Sequence, residues 1–324
     1  MSEKNNKKPL VQVRGLKTWF PVRRGILSRT IGHVRAVDGI SFALQKGETM
    51  GLVGESGCGK TTLGRTLVGL EKIHEGRIWF QSRDLAGLSR KELRALRRKI
   101  QIIFQDPLSS LNPRMNVLDI VTEGMSEFKL IHGNREEAAR DILKDVGLDA
   151  DALYRYPHEF SGGQRQRINI ARAISLKPDF IVCDEPVSAL DVSIQAQIIN
   201  LLLDLREKYH LSYLFISHDV SVVSHIANRI AVMYLGRIVE FGETGDIVFH
   251  PKHPYTKALI SAVPRPGSSR ARQQVLEGRA LSPTVPIDGC CFQPRCLEAM
   301  AVCRKEVPME IDDAGHRVTC HLYK

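Results

Sequence analysis

The chain has 324 residues, a hydrophobic fraction of 43% and a formal net charge of +10. That length holds one large or two smaller domains around an ordinary packed core. No apolar run approaches the roughly 18–20 residues a membrane-spanning helix requires, and the polar start, with Lys4, Lys7 and Lys8, lacks the apolar centre of a signal peptide; a cytoplasmic protein is expected, with any membrane part on another polypeptide.

In chain order, residues 10–13 and 40–44 read as strands. Residues 48–53 form a short, mostly apolar strand that runs into Gly54, Glu55, Ser56, Gly57, Cys58, Gly59, Lys60 and Thr61, with Thr62 following. This is G-x-x-x-x-G-K-[ST] without a gap, and residues 60–70 read as the helix it needs. Glycines let successive N–H groups point inward at phosphate oxygens, and the helix start adds its positive end. Lys60 is expected to reach the β- and γ-phosphates and Thr61 to take a Mg2+ position. The net charge would suit nucleic acid or an anionic membrane surface. However, residues 91–100 place Leu93 and Leu96 at helical spacing, so the charges there read as a solvated helix face. There is no RNA-binding motif, and no nucleic-acid partner is expected.

Residues 106–175 are helix-rich. Ala139, Ile142, Leu143 and Val146 mark an amphipathic helix. Ser161, Gly162 and Gly163 open another helix, with Ser161 as its N-cap and exposed N–H groups forming a second anion site. Phe180, Ile181, Val182 and Cys183 form an apolar run ending in Asp184 and Glu185. A strand buried on both faces suits the centre of a parallel sheet, and ligands bind beyond the carboxyl ends of such strands. Asp184 is thus placed to hold Mg2+ through its water shell, and Glu185 to orient or deprotonate an attacking water. His218 follows a further apolar strand, residues 212–216. Residues 230–235 and 237–240 read as a hairpin around Gly236. After Phe249 prolines recur at 251, 254, 264, 266, 283 and 286, the texture of a linker or wrapped extension.

Five of the seven cysteines lie in that tail, at 290, 291, 296, 303 and 320. In a cytoplasmic chain such clustering argues for metal rather than disulfides. Cys290, Cys296, Cys303 and Cys320 lack the tight C-x2-C knuckles usual for zinc. Spacing alone leaves an iron–sulfur cluster, a structural Zn2+ and unligated thiols all open.

Ser161, Gly162, Gly163 and Gln164, followed by Arg165-Gln-Arg-Ile168, resemble the signature sequence of ABC ATPases. Phe104, Gln105 and Pro107 look like the family's Q-loop, Ser188 to Asp191 its D-loop, and Ser217, His218 and Asp219 its H-loop. Phe20, or Trp19, sits where the family places an aromatic that stacks on adenine. Phe160 departs from a common Leu before the signature serine, without changing its apolar character. The resemblance implies an α/β fold: a P-loop NTPase domain of the ABC ATPase type, with a RecA-like core, an antiparallel β subdomain and a helical subdomain over about 106–175. It places the ATP-binding domain at 1–250 and a cysteine-containing extension at 251–324. It also implies that His218 contacts the γ-phosphate and that Gln105 touches Mg2+ or the attacking water. The signature would act on the ATP of a second ATPase domain, so this single-copy chain needs a partner.

A narrower resemblance rests on His253 to Leu259, on Gly289-Cys290-x-Phe292-x-Pro294-Arg295-Cys296, on Ser109 to Arg114, and on Phe20 to Gly25. These are similar to the peptide-importer branch, and to the F-type of its two ATPase subunits. The branch implies ATP and Mg2+ as cofactors and a [4Fe-4S] cluster on Cys290, Cys296, Cys303 and Cys320, with Zn2+ as the alternative and Cys291 an extra thiol. It implies a D-type ATPase partner in a heterodimer, two permease subunits and an extracytoplasmic substrate-binding protein, with this chain peripheral at the cytoplasmic face of the membrane. Nickel or glutathione in place of a peptide, or a soluble ABC ATPase outside transport, are the alternatives.

Overall fold

The computed structural model describes residues 8–25, 29–262 and 288–323. In chain order the elements are β1 (Val11–Arg24), β2 (Arg29–Leu44), β3 (Thr49–Val53), α1 (Lys60–Leu67), β4 (Glu75–Phe80), β5 (Arg83–Asp84), α2 (Arg90–Arg97) and β6 (Ile100–Ile103). Then come α3 (Pro107–Ser110), α4 (Val117–Glu127), α5 (Arg135–Asp145), α6 (Gly162–Ile174), β7 (Phe180–Asp184), α7 (Val192–Tyr209) and β8 (Ser212–Ser217). The chain continues through α8 (Val220–Ile226), β9 (Arg229–Tyr234), β10 (Arg237–Glu243), α9 (Thr244–Phe249), α10 (Pro254–Ser261), β11 (Glu310–Asp313) and β12 (His316–Thr319). Two units divide these elements. One takes the chain up to Leu44, Thr49–Ala86 and everything from Ser217; the other takes Gln45–Glu48 and Gly87–Ile216.

The first unit holds an antiparallel sheet in the order β2-β1-β4-β5. Its two leading strands are much longer than the apolar runs at 10–13 and 40–44. Past Thr18, β1 turns outward, so its outer half carries no apolar alternation to read. The same unit has the strand order β11-β12-β10-β9-β3, with β3 parallel to β9 and the other pairs antiparallel. β3 is buried at every position. Gly51 lets α8 lie on it, since a Cβ there would collide with Val223. The expected hairpin around Gly236 is β9 and β10. The extension adds β12 to the free edge of β10, pairing Val318 with Glu240 and Arg317 with Phe241. Pro264, Pro266, Pro283 and Pro286 lie outside the described residues.

The second unit has parallel strands in the order β8-β7-β6, with β7 and β8 buried throughout. Ala139, Ile142, Leu143 and Val146 are all buried, as the amphipathic pattern predicts. One boundary differs from expectation. The basic helix stops at Arg97, and Ile100 opens β6 instead of closing the helix. Leu96 is buried while Leu93 is only partly covered, and Asp179 N–H and Phe180 N–H both bond to the Lys99 carbonyl. Those bonds end the helix and set Ile100 as the first residue of β6.

Candidate functional site

In the first unit, β3 delivers the chain into the glycine loop and α1 leaves it at Lys60. Gly59 has φ +107°, and a Cβ there would run into the Ala36 carbonyl. Only glycine fits both the backbone and the space. Lys60 is buried, and its Nζ donates to the carbonyls of Gly54 (2.8 Å) and Glu55 (3.0 Å). Its ammonium is thus held inside the loop. Gly54 and Cys58 are buried, whereas Ser56 and Gly57 are exposed. Burial pushes the Cys58 thiol up despite the adjacent Lys60, which leaves it an inert filler. The loop carries partly exposed Thr61 and Thr62 on the first turn of α1, and the Thr62 carbonyl accepts from Thr66 Oγ1 at 2.7 Å. Thr66 also bonds Thr18 of β1 at 3.1 Å, fixing α1 against the antiparallel sheet.

The two aromatic candidates separate clearly. Trp19 is stacked on His74 (centroids 4.7 Å apart, planes at 27°), with Lys17 and Arg35 against its ring. Phe20 is exposed. His218 is exposed in the turn between β8 and α8. Ser217 Oγ accepts from Asp219 N–H at 3.0 Å, and the Asp219 carboxylate caps α8 by accepting from Ser221 N–H at 2.8 Å. Both caps hold the turn that presents the imidazole.

In the second unit, Asp184 closes β7 with 1% exposure, and Glu185 follows with 9%. Glu185 adopts a left-handed backbone, φ +46°. Three hydrogen bonds hold that conformation. Its N–H donates to the Ile216 carbonyl at 3.0 Å, and its own carbonyl accepts from Ser188 N–H at 3.3 Å and Ser188 Oγ at 3.1 Å. Non-glycine residues in this region store strain that surrounding structure must hold, and such strain concentrates at functional sites. Gln105, exposed just beyond β6, donates from Nε2 to Glu185 Oε2 at 3.1 Å. The structure thus brings together two residues that lie 80 positions apart.

Ser161 caps α6 with a reciprocal pair of bonds to Gln164: Ser161 Oγ accepts from Gln164 N–H (3.4 Å) and Gln164 Oε1 from Ser161 N–H (3.0 Å). Ser161, Gly162 and Gln164 are exposed at the positive end of a 13-residue helix, the arrangement that suits an anion. Asp191 is exposed as the N-cap residue of α7, with no side-chain cap bond.

In the extension, Cys290, Cys303 and Cys320 are buried and Cys291 and Cys296 partly so. Cys290 N–H donates to the Cys303 carbonyl at 2.8 Å. Burial raises the thiols of Cys290 and Cys296, that of Cys320 to about 11 and that of Cys291 to about 12. For Cys320 the neighbouring Cys290, Cys296 and Cys303 add to the rise. The four sulfurs are therefore electrostatic neighbours, and a bound cation would invert the effect. Among the described residues no three His, Cys, Asp or Glu side chains close around a point that would hold one metal ion. Tyr255 and Arg295, both within the motifs of the narrower resemblance, bond to the loop residue Glu55; nothing in those motifs gives them that role.

A glycine loop with a buried lysine between strand and helix, and an acidic strand end beside a glutamine, define a P-loop nucleoside triphosphatase. The ABC transporter family pattern matches residues 37–188, and the oligopeptide/dipeptide transporter C-terminal region matches residues 239–303. The oligopeptide transport ATP-binding protein AppF of Bacillus subtilis (strain 168) is 49% identical, over 98% of this chain and 98% of that one. The dipeptide transport ATP-binding protein DppF of Haemophilus influenzae is 48% identical, over 96% of each. A solved dimer of the ATP-binding cassette MJ0796, in a post-hydrolysis state bound to ADP and Pi, has a TM-score of 0.63 and 26% identity; the match covers 72% of this chain and 98% of that one. The chain belongs to the ATP-binding subunits of the ABC transporter family, in the group that carries the oligopeptide/dipeptide C-terminal region. ATP and Mg2+ fit such an ATPase. No helix among the described residues is long and apolar enough to cross a membrane.

Proposed function

We propose that this chain is the F-type ATPase subunit of a peptide-class importer. The carrying observation is a complete set of ATPase segments in a chain that matches an oligopeptide transport ATP-binding protein along 98% of its length. We assign the ATP-binding domain to 1–250, with its helical part at about 106–175, and the extension to 251–324.

The roles follow from the chemistry of each group. Amides of residues 54–62 and Lys60 hold the triphosphate, and Phe20 stacks on adenine. Thr61, Asp184 and Gln105 hold Mg2+ directly or through water. Glu185 takes a proton from the attacking water as its oxygen bonds to the γ-phosphorus; the bond to the β–γ bridging oxygen breaks, and ADP and phosphate leave. His218 stabilises charge on the γ-phosphoryl oxygens. Ser161, Gly162, Gly163 and Gln164, with Asp191 nearby in sequence, serve the ATP bound by a D-type partner. Closure of the two ATPases turns two permease subunits at the cytoplasmic face of the membrane, and an extracytoplasmic binding protein selects the substrate. Cys290, Cys296, Cys303 and Cys320 ligate a [4Fe-4S] cluster.

The test is reconstitution with the permease and partner ATPase, with ATP hydrolysis measured against peptides of graded length, nickel and glutathione. Peptide-stimulated turnover is expected, abolished by Glu185→Gln with ATP-bound association of the two ATPases retained. Stimulation by nickel or glutathione alone, or near-normal turnover of Glu185→Gln, overturns the reading.

A further inference from the structure

Glu55 is the first variable residue of the P-loop, and every polar group it carries is engaged. Its carbonyl accepts from Lys60 Nζ at 3.0 Å and from Cys58 N–H at 3.2 Å. Its N–H donates to Tyr255 Oη at 2.8 Å. Its carboxylate receives a two-pronged bond from Arg295, with Nη1 at 2.8 Å and Nη2 at 3.0 Å. The Arg295 side chain is only 7% exposed and that of Glu55 30%. Two of these anchors come from the extension, one on each side of residues 263–287.

Both anchors are themselves fixed. Tyr255 lies on the first turn of α10, where His253 Nδ1 accepts from Tyr255 N–H at 3.0 Å. Arg295 ends a single helical turn, Gln293–Arg295, that sits between Cys291 and Cys296. Phe292, just before that turn, packs edge-on against Tyr234 (5.2 Å) and tilted against Tyr255 (5.4 Å) and His253 (5.6 Å). Gly289 opens the segment with φ +85°, and a Cβ there would strike the Cys303 carbonyl. The cysteine segment thus presents Arg295 at one place.

We propose that Arg295 and Tyr255 are positioning residues for ATP binding, by which the extension orients Glu55 and neutralises its charge beside the phosphate-binding amides. A triphosphate carries several negative charges, so an unpaired carboxylate on the loop would oppose it across a short distance. The bidentate guanidinium cancels that charge and fixes its direction. The Tyr255 bond fixes the peptide plane on which the Glu55 carbonyl meets Lys60. The extension is therefore part of the ATP site.

This inference rests on ATP binding at the P-loop, and the test separates the two. Equilibrium binding of a fluorescent Mg–ATP analogue is measured on the full-length chain carrying Arg295→Met, Glu55→Gln or both, with Lys60→Ala as control. Arg295→Met is expected to weaken binding roughly tenfold or more, the low end of what loss of a charged hydrogen bond produces. Arg295→Lys should recover part of the loss. In the Glu55→Gln background, where no charge needs cancelling, Arg295→Met should change affinity less than about twofold. Tyr255→Phe, which keeps the ring and loses the acceptor, should give a smaller loss than Arg295→Met. An unchanged dissociation constant for Arg295→Met, or an equal loss in both backgrounds, overturns the proposal. Failure of the wild-type chain to bind, or binding that survives Lys60→Ala, would instead overturn the ATP reading itself.

Discussion

Removing the Glu240 carboxylate is expected to loosen the extension from β10. Glu240 lies in β10 with 1% exposure. Its Oε1 accepts from Lys252 N–H at 2.7 Å and from His316 Nε2 at 2.7 Å, and its Oε2 from His253 N–H at 2.9 Å. One side chain thus ties the start of the extension, at 252 and 253, to β12 near its end. Glu240→Ala strands two backbone N–H groups and one imidazole in a buried pocket. Each stranded donor costs about 1–3 kcal/mol, and with Lys252 only partly buried the three together cost about 3–5 kcal/mol. With about 2–4 °C of Tm per kcal/mol in a domain of this size, the apparent Tm should fall by roughly 6–20 °C. Glu240→Gln keeps one acceptor oxygen but turns an NH2 toward donors, so it should fall between wild type and alanine. Thermal unfolding followed by circular dichroism reads all three. An alanine variant within about 2 °C of wild type would refute the reasoning, because it would mean that the three donors find water or other acceptors at no cost.

Two further outcomes follow from the same region. Burial pushes His253 down from 6.5 to about 3, with nearby Lys257 adding to the effect. The unfolded chain gains a proton at this residue as pH falls through 6.5 while the folded chain does not, so folded-state stability is lost from pH 6.5 toward 3. His253→Asn keeps a capping side chain and removes the proton site; it should gain about 2 kcal/mol relative to wild type between pH 6.5 and 5, at about 1.4 kcal/mol per pH unit, and parallel stability curves would refute this. Anaerobic purification should yield iron and acid-labile sulfide in equal amounts, both lost on Cys303→Ser, whereas stoichiometric zinc without sulfide would rule out the iron–sulfur assignment.

What the sequence made legible was local. The P-loop is a contiguous pattern that can be read without knowing what surrounds it, although the space its glycines answer to is set from afar, as the fit of Gly59 against the Ala36 carbonyl shows. The cap at Ser161 joins residues three apart, a spacing that motif reading is built to find. The apolar runs of β3, β7 and β8 are read as buried strands because burial on both faces leaves no alternation. The β11–β12 hairpin was missed because three of the four β11 residues are exposed, leaving little apolar pattern. Its signal was there in Ala314 and Gly315, both with positive φ, the turn type that tight hairpins use. The left-handed backbone of Glu185 has no such signal. It is imposed by Ile216 and Ser188, and a carboxylate after an apolar strand reads the same with or without it.

The contacts that bear most on function were the least legible, and for one reason. Tyr255 is 200 positions from Glu55, and Arg295 is 240. A variable position in a motif gives no hint that its side chain is held from so far along the chain. The physical route is nonetheless continuous within the first unit. β12 pairs with β10, whose Glu240 holds the backbone at 252 and 253; His253 caps α10, which carries Tyr255 to the loop. Phe292 wedges the cysteine segment against the same tyrosine and aims Arg295 at the same glutamate. A chain end that looked like an appended metal-binding tail therefore meets the nucleotide loop at Glu55. A change in the fold of that tail has a direct mechanical path to the phosphate-binding amides, with no need for a change in the ATPase motifs themselves.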